Sequence, residues 1–229
     1  MSDSGKMDVY LEVGKKRTFA SAVQWPGWGR SGRDEASALQ ALFDAGPRYE
    51  RVLASTPLGF ASPTDLSAFN VIERLEGNAT TDFGAPNIVP AYDTSPVDDA
   101  DLRRLRTLLK AGWRAFDEAV SAATGKELRL GPRGGGRDLE GIIQHVLGAD
   151  AGDLAKMGRK VKTGELDLAK ALADTRHAIL KALTASARGE VPARGPRGGV
   201  RWPPRFFVRA VAWHLLDHIW EIEDRVLAQ

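Results

Sequence analysis

The chain contains no cysteine. That absence excludes disulfide bonds, thiolate metal ligands and a protein thiol as nucleophile, so any bound metal must be held by His, Asp or Glu. Long apolar runs are missing as well. The N-terminus, MSDSGKMDVY, has no hydrophobic core of signal-peptide length, and the most apolar late stretch, RFFVRAVAWHLLDHIW, is interrupted by Arg209, His214, Asp217 and His218. A soluble, cytoplasmic protein without a membrane partner is expected. Charge of one sign is scarce: 32 Lys and Arg oppose 30 Asp and Glu, which leaves a net charge of +2. No basic stripe with interleaved aromatics is present, so nucleic acid is not an expected partner. Histidine is scarce too, with four in 229 residues.

What is present suffices for a folded protein, because 43% hydrophobic residues over this length can bury an ordinary core. The predicted class is α+β, a small N-terminal β/α domain (8–84), a linker (85–97) and a helical domain (98–229). In the first region VYLEV, TFASAVQW and FNVIERLEG read as strands, and SGRDEASALQALFDAG reads as a helix with Ser31 or Asp34 as its N-cap and Gly46-Pro47 as its stop. PRYERVL adds a short helical turn. The stretch from Thr80 to Val97 is rich in Pro, Asn, Asp and Thr, which is linker composition.

Four helices are predicted after the linker, over about 98–123, 138–157, 166–187 and 204–227, each with apolar residues at spacings of three and four. Four amphipathic helices joined by loops pack most simply as an antiparallel, up-down-up-down bundle. That path makes the second and fourth helices parallel. The pentapeptide GPRGG occurs twice, at 131–135 and 195–199, each time shortly before one of these two helices. Neither copy ends in Gly-Lys-Ser/Thr, so neither is a P-loop. On the parallel path both lie on one rim.

The histidines are His145, His177, His214 and His218. His214 and His218 are four apart and share a face with Phe207, Val211, Leu215 and Ile222. Two imidazoles side by side need polar partners when buried, and a metal ion or carboxylates such as Asp217 and Glu221 would serve. On the parallel path, His145 and His214 lie about 10 Å and about 15 Å from their helix starts, which lets three histidines meet. His145 lies roughly 120° from the apolar stripe of its own helix, beside Gly141, Gly148, Ala149 and Gly152. His177 falls on a polar face.

The region 98–229 resembles the DinB/YfiT-like superfamily. The resemblance rests on four helices, a histidine in the second within DLEGIIQHVLGAD, and the HxxxH of the fourth within VAWHLLDHIWEIEDR. It implies a divalent metal, zinc or nickel, on His145, His214 and His218, and in several members transfer or isomerisation chemistry that uses a low-molecular-weight thiol. Here the thiol would have to come from a cosubstrate. Three protein nitrogens leave a coordination position open, which is a catalytic arrangement, and Glu221 would act as orienting group or general base. An exposed ion-pairing role for Glu221 with Asp217, Asp224 and Arg225 is the competing reading. Arg133, Arg137, Arg197 and Arg201 stand near two helix N-termini, where an anionic cosubstrate would be favoured; the competing reading is that Arg, 22 of the 32 basic residues, and Gly, 24 in all, are simply abundant here. More faintly, QWPGWGRSGRDEASALQAL is similar to the HicB-like fold, a small sheet with one helix; HicB proteins include toxin-neutralising modules with a separate DNA-binding segment, and since no such segment is visible the region is read as an accessory or dimerisation domain. Pairing through an exposed sheet edge is a route to a homodimer. The expected function is thus a metal-dependent small-thiol transferase or hydrolase acting on a small molecule. The alternatives are a non-catalytic metal- or ligand-binding stress-response module and a HicB-like regulator.

Overall fold

A computed structural model describes residues 6–130, 136–161 and 167–227. The chain divides into two compact units, Met1–Ser95 and Pro96–Gln229. It is an α+β protein.

The first unit is built on a four-stranded sheet of β1 (Met7–Val13), β2 (Thr18–Ala22), β3 (Gly29–Gly32) and β4 (Phe69–Glu76), in the order β3-β2-β1-β4. β1 pairs antiparallel with β2 and parallel with β4, and a register shift falls between Val9 and Tyr10. The parallel pair requires a crossover, which α1 (Glu35–Asp44) and α2 (Gly46–Leu53) supply. α1 starts where Asp34 and Ser37 form a reciprocal capping box and packs on β2 and β3. Trp28 and Tyr49 stack with ring centroids 5.8 Å apart. Their polar ends are satisfied, Trp28 Nε1 on Leu42 O at 2.9 Å and Tyr49 Oη on Pro26 O at 3.0 Å, so these aromatics are core and not a ligand cage.

β3 escaped the sequence pattern because GRSG offers no β-branched or aromatic residue. The segment read as a linker also differs. Glu12, in β1, is fully buried, and its carboxylate accepts hydrogen bonds from the Asn87 and Ile88 amides at 3.1 Å and from the Thr81 hydroxyl. Asn78 caps the short helix α3 (Ala79–Phe83). Glu73 accepts from the Ala91 amide at 3.1 Å. Residues up to Ser95 therefore belong to the first unit, held by long-range hydrogen bonds to carboxylates of β1 and β4 that local composition does not reveal.

The second unit holds α4 (Asp99–Ala123), α5 (Leu139–Lys156), α6 (Leu168–Ala187) and α7 (Pro204–Arg225). Asp98, Asp138 and Asp167 cap the first three, each accepting from the third amide of its helix. α7 begins instead with Pro at its first turn.

Contacts at the helix ends fix the directions and correct the up-down-up-down path. Arg205 at the start of α7 pairs with Asp101 at the start of α4, and Leu128 beyond α4 bridges Val226 beyond α7. These two helices run parallel. Arg225 at the end of α7 donates to Arg137 O before α5, at 2.8 Å, whereas the Trp202 amide before α7 donates to Lys156 O at the end of α5, at 3.3 Å. α5 and α7 are thus antiparallel. α6 opposes α4, since Arg106 bonds Thr184 at 2.9 Å while Asp117 forks with Arg176 at 2.7 and 2.8 Å. The path is up-down-down-up.

Candidate metal centre

The three predicted ligands come together. His214 Nε2 lies 3.1 Å from His145 Nε2 and 3.2 Å from His218 Nε2. All three ligand nitrogens lie within 4.8 Å of one another. The cluster sits on the flank where α5 and α7 meet: His145 and His214 are half-buried and His218 is buried. This explains why His145 stands off the apolar stripe of α5, since it needs to reach only the flank. Gly148 and Gly152 are exposed with open space at their Cβ positions, so they do not set the helix approach. His177 is exposed on α6.

The cluster lacks a full set of hydrogen-bond partners. His218 Nδ1 lies 2.7 Å from Glu221 Oε2, so in the neutral ring Nδ1–H donates to the carboxylate and Nε2 is a bare lone pair. His214 then has two options. If its proton is on Nε2, one N–H is shared between two acceptor nitrogens and the bare Nδ1 is left buried without a partner. If its proton is on Nδ1, that donor is orphaned and two lone pairs face each other at 3.2 Å. Protonating the ring does not help, because burial, reinforced by His218, His145 and Arg137, pushes the His214 pKa down to about 3. His145 is also shifted down, first by burial and then by His218 and Arg137.

A divalent cation takes all three lone pairs at once. Metal–nitrogen bonds of about 2.0–2.1 Å put two ligand nitrogens about 3.3 Å apart at a tetrahedral angle and about 3.0 Å apart at a right angle. The 3.1 and 3.2 Å separations lie between these values. The donor set is imidazole only, which suits zinc, copper, iron and nickel alike.

Glu221 is engaged on both oxygens, with His218 through Oε2 and with Arg225 Nη1 at 2.5 Å through Oε1. That is an orienting arrangement. The ion pair with Arg225 was expected to be exposed, yet the Arg225 side chain is largely buried. Glu221 and Arg225 are four apart, and this spacing is the sequence signal for the pair.

The arginines do not form one rim. Arg137 precedes the start of α5; its side chain lies against Gly141, one turn before His145, and its charge bears on His145 and His214. Arg201 donates to Pro192 O at 3.0 Å and its guanidinium crowds Gly158, at the other end of α5. Arg197 is exposed in a tight turn closed by Gly198 N to Gly195 O at 2.9 Å. In that turn Pro196 supplies the fixed φ and Gly198 the positive φ of +80°, which accounts for the second GPRGG as turn chemistry. Arg133 and the first GPRGG lie outside the described residues. Because α5 and α7 are antiparallel, Arg137 is separated from Arg197 and Arg201 by about 27 Å, the length of α5.

One buried acid was not anticipated. Asp150 of α5 is 2% exposed, and burial, with repulsion from Asp153, raises its pKa to about 8 against the pull of Arg176. Among the described residues no helix is long and apolar enough to cross a membrane. Comparisons with protein-family models, with curated proteins and with solved structures found no match.

Proposed function

We propose that the C-terminal unit is a four-helix bundle of the DinB/YfiT-like kind. Its histidines, His145, His214 and His218, would bind a zinc or nickel ion in a small-molecule transferase or hydrolase. The observation that carries this reading is the convergence of three imidazole nitrogens, two of the separations being 3.1 and 3.2 Å, with no protonation pattern that satisfies them. A bound ion supplies Lewis acidity, lowering the pKa of a coordinated water or thiol to near neutrality. Three protein ligands leave room for that group, and the half-buried His145 and His214 give it access.

The chain's own residues take the other roles. Glu221 holds His218 in the tautomer that presents Nε2. Arg137 places a positive charge beside the histidines, which favours a cosubstrate with an anionic group. A thiol, if the reaction uses one, belongs to the cosubstrate because the chain has no cysteine. We read the N-terminal unit as a HicB-like accessory module. That reading rests on the resemblance of QWPGWGRSGRDEASALQAL; β4 is an edge strand of the sheet, and pairing of two β4 edges would give a homodimer.

Elemental analysis of tag-free protein tests the proposal. Wild type is expected to carry near-stoichiometric metal, and His145→Ala, His214→Ala and His218→Ala are each expected to lose it while retaining a helical circular dichroism spectrum. No metal in the wild type after reconstitution with zinc and with nickel would overturn it.

A further inference from the structure

The histidines of the cluster are not equally supported. His214 Nδ1 is buried without a hydrogen-bond partner, whereas His218 is the first member of a chain of contacts: His218 Nδ1 to Glu221 at 2.7 Å, then Glu221 to Arg225 at 2.5 Å. Arg225 has further anchors. Its Nε donates to Arg129 O at 2.9 Å and a terminal nitrogen donates to Arg137 O at 2.8 Å. The guanidinium thus binds one carboxylate and two backbone carbonyls in three directions, which uses its planar fork of donors. Both carbonyls lie in the connection between α4 and α5. Arg129 returns the attachment, donating from its amide to Arg225 O and from its side chain to Asp224 O, both at 2.7 Å.

We infer that Arg225 is a positioning residue of the histidine cluster, acting through Glu221 to keep His218 protonated on Nδ1 and its Nε2 turned toward His145 and His214. Without the guanidinium, Glu221 would be free to turn outward to water, since its side chain is already 29% exposed, and His218 would then populate its other tautomer. A lysine keeps the charge but not the fork. Its single ammonium has no fixed geometry that reaches a carboxylate and two carbonyls together.

The inference rests on the metal reading for its effect on affinity but not for its effect on the tautomer, and this separates the two tests. Nitrogen-15 NMR of the full-length protein, treated with chelator and labelled at histidine, is expected to show His218 as the Nδ1–H form in wild type. In Arg225→Lys it should show a mixture. Zinc titrations against a competing chelator are expected to show binding weakened about tenfold or more in Arg225→Lys, as for loss of other groups that orient metal ligands. In the Glu221→Ala background the further change Arg225→Lys should have no added effect on either readout. An unchanged tautomer in Arg225→Lys overturns the inference, and so does an equal loss with and without Glu221, because either result means that Arg225 acts only by holding the connection. If wild type binds no zinc the metal reading falls and the tautomer still decides. If Arg225→Lys does not fold, Arg225→Gln is read in the same way, and an unchanged His218 tautomer there overturns the inference.

Discussion

Asp150 offers a test of the core that is independent of any metal. Its carboxyl has a pKa of about 8 in the folded chain and an ordinary value of 3.8. The folded state therefore holds a proton that the unfolded state releases above about pH 4. A raised pKa of this kind contributes stability that is complete below the unfolded value and is lost as pH rises through the folded value. The window is thus about pH 4 to pH 8. Inside it each pH unit is worth about 1.4 kcal/mol for a single group, so raising the pH from 5 to 7 costs on the order of 2–3 kcal/mol at this one residue. Asp150→Asn keeps the size of the side chain and removes the titration.

The quantity to measure is the difference in unfolding free energy between wild type and Asp150→Asn at pH 5, 6, 7 and 8. Urea unfolding followed by helical circular dichroism reads mainly the C-terminal unit, and chelator should be present so that bound metal does not add to stability. The variant is expected to gain on wild type steadily from pH 5 to 8, with a relative midpoint shift of roughly 1–2 M urea between pH 5 and 7 at ordinary slopes. Asp153, whose pKa burial raises to about 7, repels Asp150 and titrates with it, so the same pair of measurements in an Asp153→Asn background isolates the Asp150 contribution. A difference that stays constant from pH 5 to 8 would refute the reasoning, because it would mean that Asp150 ionises normally in the folded chain.

Glu12→Ala should destabilise the first unit by about 2 kcal/mol, since the buried Thr81 hydroxyl and the half-buried Asn87 and Ile88 amides lose their acceptor; limited proteolysis should then cut between residues 85 and 95 in the variant before it does in wild type. Asp138→Ala removes the N-cap of α5 and should cost about 1 kcal/mol in urea unfolding. Gly198→Val forces a β-branched residue to a φ of +80° and should lower stability by about 1–2 kcal/mol, with metal content unchanged because the turn is at the far end of α5 from the histidines. Zinc at 100 times its dissociation constant should raise the unfolding free energy of wild type by about 2.7 kcal/mol and that of His214→Ala hardly at all, a comparison that thermal denaturation makes directly.

The helices of the second unit were legible because their periodicity is strong; the aspartate caps Asp98, Asp138 and Asp167 fix three of the starts in the structure. The strands β1, β2 and β4 were legible from alternating and β-rich runs, and β3 was not, because GRSG pairs through backbone alone. The role of Glu12 was invisible for another reason. Its partners Thr81, Asn87 and Ile88 are 69 to 76 residues away, and no local pattern marks a carboxylate that will be buried. Asp150 differs: it stands three and four residues from Leu147, Val146 and Leu154 on the apolar stripe of α5, so the periodicity marks its burial although it does not mark its shifted pKa.

The histidine cluster shows how a site can be legible while the path to it is misread. A parallel arrangement of α5 and α7 lets the histidines meet at about 10 and about 15 Å from the two N-termini, by the rise per residue. In the antiparallel arrangement His145 is opposite the middle of α7 because it lies about 16 Å from the C-terminal end of α5, next to the start of α7, while His214 lies about 15 Å from that start. Both directions bring the same residues level, because each histidine sits near the middle of its helix. Depth counting therefore predicts convergence without testing direction, whereas groups at the helix ends depend on direction entirely. That is why the histidines meet as expected and the four arginines do not share a rim. It also follows that the direction of α7 brings Arg225, and not the second GPRGG turn, beside the entrance to α5, where it can reach both the connection and the carboxylate that orients His218.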